Sequence, residues 1–549
     1  MILFVLASSI ICIGCYQHLI HHTHPEGSRH IRITIQTVPF SIEREDNELK
    51  DERQKQTPYF TKLKEYGMSG VIPFDVPGHK LGRVPNELQD FTGINTFLLD
   101  GNAPLGLDHL AQPTGVIKEA EALMAEAFHA KRSYFLTNGT SIGILSMIMA
   151  TCRADEKIIM PRNVHKSAIN GLILSGATPV FVKTDIDHDL GIANGVSAHA
   201  VARAIEKNPD AKAVFLINPT YFGWTSELKK IVEIAHAHNM IVLVDEAHGA
   251  QFYFSDKLPL SAMDAGADIS ATSVHKTAGS FTQSSVLLTQ GDRVNHTRLR
   301  VTLNMLSSTS PSSLLLASLD VARKTMYFEA EAKIAKVVDM ADKARKRLET
   351  VPGIKVVDRD YVKGRSGFDF DEMRIVIKVS DLGITGFEAY KELRRKFNIQ
   401  LELAETHLVL CVLSIGTTKD DLDALFYAMK DLSKRYYKIR KSLPQIKFNY
   451  QFPQSYSRPR DAYHAPKLTV PLSEAANEIS AETIMIYPPG IPLLIPGEII
   501  TPEVIADMEF YVKNGSVLQK ELDGDNVRIV DKEHWHKWEG EDEDETEES

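Results

Sequence analysis

Met240-Ile-Val-Leu-Val-Asp-Glu-Ala-His248 is the stretch on which the fold turns. Five apolar residues run without a break into two acids. A strand buried on both faces of a parallel sheet reads in this continuous way, whereas a half-exposed strand alternates. Similar short runs stand on either side: Tyr134–Leu136, Lys157–Met160, Pro179–Val182 and Ala213–Ile217 before it, Ile269–Ser273 and Val286–Thr289 after it. Between them lie stretches of helical periodicity at Gly115–His129, Ser141–Cys152, Lys166–Ser175, Val201–Lys207 and Glu227–His238. Short buried strands alternating with helices predict a doubly wound, mostly parallel α/β domain over 108–350.

The rest of the chain divides around this block. Residues 1–56 read as an N-terminal extension, apolar from Met1 to Cys15 and polar and irregular beyond, and 57–107 as a lead segment. Residues 310–348 have the pattern of long helices. Arg374–Val379, Gln400–Leu403 and Val409–Ser414 read as strands of a small α+β domain over 351–452. Pro453–Arg460 reads as a linker into a C-terminal domain ending near 530. Its run Tyr487-Pro-Pro-Gly-Ile-Pro-Leu-Leu-Ile-Pro-Gly-Glu498 holds too many prolines for regular structure, so an ordered extended loop is expected.

Composition narrows the function. The chain has 549 residues, 43% apolar and 24% charged, with a formal net charge of −10. Most of that charge sits in the tail Glu-Gly-Glu-Asp-Glu-Asp-Glu-Thr-Glu-Glu-Ser549, read with 531–538 as a solvated acidic tail. The remainder is near neutral and has no basic footprint for nucleic acid. Four cysteines make no disulfide framework. Cys12 and Cys15 have no partner pair, so no metal site is expected. Met1–Cys15 lacks the basic start of a secretory signal and is short for a membrane span. It reads as an extension ahead of a cytoplasmic enzyme, the lesser alternative being a signal or anchor, and no stable membrane partner is expected.

Chemistry collects at the strand ends. Asp245 closes a buried apolar strand and needs a cation, because an unpaired buried carboxylate costs several kcal/mol. Ser273-Val-His-Lys276 puts a lysine after the next strand. A desolvated lysine loses proton affinity and forms a Schiff base with an aldehyde. Asn138-Gly-Thr-Ser141 opens a helix, where free N–H groups with the Thr140 and Ser141 hydroxyls suit an anion. Ser273 and His275 add donors, and His165 stands where a flat ring could stack. Each motif alone has an ordinary structural reading. Together they fit pyridoxal 5'-phosphate (PLP), with Lys276 at its aldehyde and Asp245 at its ring nitrogen, which turns the ring into an electron sink.

The order of these motifs resembles the fold-type-I PLP decarboxylases of ornithine, lysine and arginine. The resemblance rests on Pro77-Gly-His-Lys80, Pro161-Arg-Asn-Val-His-Lys-Ser167, Asn218-Pro-Thr-Tyr-Phe-Gly223, Asp245-Glu-Ala-His-Gly249, Ser273-Val-His-Lys276, Ser308-Thr-Ser-Pro311, Tyr487-Pro-Pro-Gly490 and Pro496-Gly-Glu498, across about residues 57–530. Asn-Pro-Thr-Tyr-Phe-Gly and Pro459-Arg-Asp-Ala462 look most like the bacterial biosynthetic arginine decarboxylases. The resemblance implies a fold-type-I large domain, smaller C-terminal domains, and conversion of L-arginine to agmatine and CO2 for polyamines such as spermidine. It makes Lys276, Asp245, His165 and His248 catalytic, His248 lying near the cofactor. It gives the phosphate to Thr140, Ser141, Ser273 and His275, and lets Ser308 and Thr309 reach a neighbouring subunit's phosphate in a homodimer or higher homo-oligomer.

A guanidinium asks for a carboxylate, and Glu402, Glu482 and Glu498 are the candidates. The sequence does not choose among them, so lysine and ornithine stay open as substrates. An aminotransferase, and a non-catalytic regulatory homologue, stay open as rival readings.

Overall fold

The computed structural model describes residues 49–365, 367–443, 453–487, 491–513, 515 and 517–535. The apolar start, Cys12 and Cys15, Pro488–Gly490 and the tail from 536 lie outside them. Residues from Asp51 onward form one compact unit.

Its centre is a seven-stranded sheet: β1 (Arg132–Leu136), β2 (Lys157–Pro161), β3 (Thr178–Val182), β4 (Ala213–Ile217), β5 (Ile241–Asp245), β6 (Ile269–Thr272) and β7 (Ser285–Thr289). The spatial order is β1-β7-β6-β5-β4-β2-β3. All pairings are parallel except those of β7, which runs against both neighbours. The intervening helices are α1 (Val116–Ala127), α2 (Gly139–Thr151), α3 (Lys166–Ser175), α4 (Ala198–Lys207) and α5 (Leu228–Ala237). The continuous apolar text has its cause here: Val242, Leu243 and Val244 are all buried, two facing one hydrophobic cluster and Leu243 the other. The expected doubly wound α/β architecture is present.

After α6 (His296–Leu306) the chain enters α7 (Ser313–Leu348), a single 36-residue helix rather than several. Leu319, Met326, Ala330, Ile334, Val337, Ala341 and Leu348 recur at helical spacing and are buried. That stripe fixes the helix along the sheet's core. Near its start the buried Asp320 accepts the Tyr59 and Phe60 N–H groups, and the buried Arg323 reaches Gln54. Residues 51–56, assigned by sequence to an irregular extension, are therefore part of the packed unit.

A second, antiparallel sheet has the order β8 (Lys355–Val356), β9 (Arg374–Lys378), β11 (Leu408–Val412), β10 (Leu403–Ala404). A two-residue ladder, Asp369–Phe370 against Trp224–Thr225, ties the approach to β9 to the loop after β4.

Beyond 453 three sequence expectations are corrected. The linker holds a helix, Pro459–His464, started by a proline whose missing N–H costs nothing there. Of the proline-rich run, Tyr487 and Ile491–Leu494 are strand rather than the expected extended loop. Ile484–Tyr487 pairs antiparallel with Ile491–Leu494, and Pro492 is tolerated because its strand lies at the edge of a three-stranded sheet. Residues 531–535 are packed, with Trp535 buried against Ala462 and Ile479, so the tail does not begin at 531. Among the described residues no helix is long and apolar enough to cross a membrane.

Candidate active site

Parallel strands present their carboxyl ends on one edge of a sheet, and in open α/β folds ligands bind in the crevice there. A cavity of about 590 Å³ opens at that edge, lined from the ends of β1, β2, β4, β5 and β6. Gly139, Thr140 and Ser141 follow β1, His165 follows β2, Tyr221 follows β4, Asp245 ends β5, and Ser273, His275 and Lys276 follow β6. The sequence named all of these except Tyr221.

Asp245 is buried at the cavity wall and accepts one hydrogen bond, from the Ala247 N–H at 3.1 Å. Burial pushes its carboxyl above the usual range, against the pull of His165 and Lys276. Such a carboxylate calls for a cation. His165 caps α3: its Nδ1 accepts the Ser167 N–H at 3.2 Å and lies 2.8 Å from the Ser167 hydroxyl. Burial holds it below the ordinary imidazole value. A ring pinned through one nitrogen presents a fixed, neutral face to the cavity.

Lys276 Nζ lies 2.8 Å from His248 Nε2 and 5.7 Å from the centre of the Tyr221 ring. Burial lowers its pKa to about 8, with Asp245 and Glu402 opposing and Arg374 assisting. A useful fraction of the side chain is thus an uncharged nucleophile near neutral pH. His248 is buried, and desolvation with the surrounding cations keeps it well below its ordinary pKa.

The anion cup differs in detail from expectation. Thr140 Oγ1 is buried and bonds to the hydroxyls of Ser273 and Ser285, the latter at 2.9 Å. These hydroxyls brace the cup, leaving the exposed Ser141 and the free N–H groups of α2's first turn as the freer donors. His275 Nδ1 is 2.8 Å from the Ser284 carbonyl, which accepts its N–H and leaves Nε2 unprotonated.

Of the three candidate glutamates one touches a residue that lines the cavity. Glu402, just before β10, accepts the Tyr221 hydroxyl and acts electrostatically on Lys276. Glu498 is buried away from the cavity and pairs with Arg162 at 2.8 Å while accepting the Ile495 N–H. Glu482 is buried and accepts backbone N–H groups, that of Arg528 at 2.7 Å. Both are engaged with local donors, and neither lines the cavity. Ser308 and Thr309 are exposed between α6 and α7 and line no part of this cavity.

Two residues near the site carried no sequence assignment of role. Tyr221 sits inside a quoted motif, but its position over the lysine depends on the loop after β4. Arg374 is fully buried in β9, and its Nη2 lies 3.1 Å from His248 Nδ1. The available signal was an arginine opening the otherwise apolar Ile375-Val-Ile377. Gly223, at φ +99°, lies against it: a Cβ there would come within 2.8 Å of Arg374 Cγ.

A profile of the Orn/Lys/Arg decarboxylase major domain matches residues 57–421, and one of the same family's C-terminal domain matches 444–522. The chain belongs to the Orn/Lys/Arg decarboxylase family. An arginine decarboxylase of Bacillus subtilis is 42% identical over 461 residues, covering 82% of this chain and 93% of that one. Another from Halalkalibacterium halodurans is 41% identical, covering 88% and 99%. A solved lysine decarboxylase from Francisella novicida superposes with a TM-score of 0.76 at 20% identity, covering 89% and 84%, and supports the fold. Orn/Lys/Arg decarboxylases depend on PLP, and the cavity fits it: an amine of lowered proton affinity, a buried carboxylate in need of a cation, a fixed imidazole face and a helix N-terminus converge on one space.

Proposed function

We propose that this chain is a PLP-dependent arginine decarboxylase, releasing agmatine and CO2, with Lys276, Asp245, His165, His248 and Glu402 as its working residues. The observation that carries the substrate is Glu402. Of the three candidate acids it is the one joined to a cavity-lining residue, its carboxylate accepting the Tyr221 hydroxyl. A planar guanidinium donates two parallel N–H groups to such a carboxylate. The relatives at about 40% identity are named as arginine decarboxylases, which agrees.

Bound PLP supplies an electron sink for the pair left behind when the α-carboxylate departs. The protein's part is orientation and charge. Lys276 offers its amine to the cofactor's aldehyde. Asp245 would pair with the cofactor's ring nitrogen and favour its protonated form, the cation that its burial demands. His165 holds the ring's plane through its Ser167-pinned imidazole. Ser141 and the α2 N-terminus would take the phosphate, braced by Thr140 and Ser273, with His275 lining the cup but its N–H spent on the Ser284 carbonyl.

In this reading 108–350 binds the cofactor, 57–107 leads into it, 351–452 carries Glu402, and 453–530 closes the structure. The enzyme works in the cytoplasm as a homodimer or larger. Phe74, Phe91 and Leu105 are each more than 90% exposed, and in that assembly they and the Ser308–Thr309 turn meet a second copy. The test is CO2 release by the purified yellow protein from L-arginine, L-lysine and L-ornithine. Arginine with agmatine as product is expected to dominate, and a preference for lysine or ornithine would refute the assignment.

A further inference from the structure

Arg374 is fully buried, and it spends its hydrogen bonds on one residue. Its Nη2 donates to His248 Nδ1 at 3.1 Å and to the His248 carbonyl at 3.2 Å. Its Nε and Nη1 make none; Nη1 stands 3.5 Å from Asp371. Asp371 is in turn held by Gln251 at 2.9 Å, and Gln251 also bonds the His248 carbonyl. Gly223 admits the arginine by having no Cβ.

A guanidinium has donors only. The nitrogen facing it, Nδ1, must offer a lone pair. A neutral imidazole has one N–H, so the proton sits on Nε2. Nε2 is the atom 2.8 Å from Lys276 Nζ. An N–H pointed at that nitrogen needs a lone pair there; an ammonium would meet donor with donor. We infer that Arg374, by dictating which nitrogen of His248 carries the proton, holds the Lys276 side chain as a free amine ready for the cofactor's aldehyde. Arg374 is a positioning residue, since it acts through His248. This rests on the assignment of Lys276 as the cofactor lysine.

The other charged groups around this pair are Asp245 on β5, Glu402 before β10, His165 at the start of α3 and His275 beside the lysine. Asp245 and Glu402 favour the ammonium; Arg374 opposes it by charge as well as by the tautomer. The two contributions separate in a double-mutant cycle. The full-length chain, stripped of cofactor, is labelled with acetic anhydride over a pH series, and Lys276 acetylation is read by mass spectrometry.

The wild-type midpoint is expected near 8. Arg374→Met frees Nδ1 to take the proton and Nε2 to accept from an ammonium. The midpoint should rise by about one unit, a roughly tenfold loss of labelling below it. In a His248→Ala background the same substitution should shift the midpoint by less than half as much. Equal shifts in both backgrounds, or no shift, would overturn the inference. Arg374→Met leaves Asp371 buried without its cation, so Arg374→Met/Asp371→Asn is run in parallel and read by the same criterion if the single variant does not fold. Borohydride reduction of the reloaded chain keeps the two claims apart. Cofactor on a different lysine refutes the active-site assignment, whereas cofactor on Lys276 with additive shifts refutes this inference alone.

Discussion

Replacing Glu402 with glutamine keeps the side chain's shape and removes its charge. The carboxylate now accepts the Tyr221 hydroxyl and, in the arginine complex, the guanidinium. Hydrogen bonds to a charged partner contribute about 1.5–3 kcal/mol. Glu402 is exposed beside Tyr221, so solvent screening takes the figure to about 1–2 kcal/mol. At about 1.4 kcal/mol per factor of ten, kcat/KM for arginine should fall roughly 5- to 30-fold. Citrulline, the uncharged isostere, supplies the control. Its kcat/KM should be unchanged within about twofold, because the glutamine amide still meets a neutral ureido group. Steady-state CO2 release from both substrates checks this. An equal fall for both would mean the site had been damaged rather than its charge recognition removed, and an undiminished rate with arginine would place the guanidinium elsewhere.

Lys276→Ala should abolish turnover together with the visible absorbance of the lysine-bound cofactor; absorbance that persisted would mean the lysine is misassigned. Asp245→Asn removes one partner of a buried charge pair, a loss of about 3–5 kcal/mol, so kcat should fall by roughly two to three and a half orders of magnitude while some PLP stays bound; a rate within tenfold of wild type would contradict its role at the ring nitrogen. Glu246, buried beneath the site, is pushed up to about 7 by desolvation. A raised carboxyl pKa means the folded state keeps the proton longer, so this contribution to stability is full below about 4.5 and is lost as pH rises through 7. Glu246→Gln still accepts the Ala262 N–H and lets the Tyr253 and Ser270 hydroxyls turn, so the variant's Tm relative to wild type should improve from pH 5 to pH 8.5. The same offset at both pH values would refute that account.

The large domain was legible because its strands are short and buried on both faces, leaving unbroken apolar runs that end on chemistry-bearing residues. Asp245 and Lys276 could be read from those ends, since the carboxyl edge of a parallel sheet gathers the residues just past each strand. Glu402 could not be separated from Glu482 and Glu498, because the choice depends on how β10 meets the loop after β4. Glu482 and Glu498 are spent on backbone N–H groups and Arg162, contacts without a local sequence signature. Arg374 escaped for the same reason: its partner His248 is 126 residues away. The proline-rich run misled because a proline on an edge strand and one in a loop look alike until the neighbouring strand is known.

The whole account depends on one attachment. Borohydride reduction of the yellow protein and peptide mapping of the product read it directly. A pyridoxyl group on the peptide containing Ser273-Val-His-Lys276 is the predicted result, and the same group on any other lysine would contradict it.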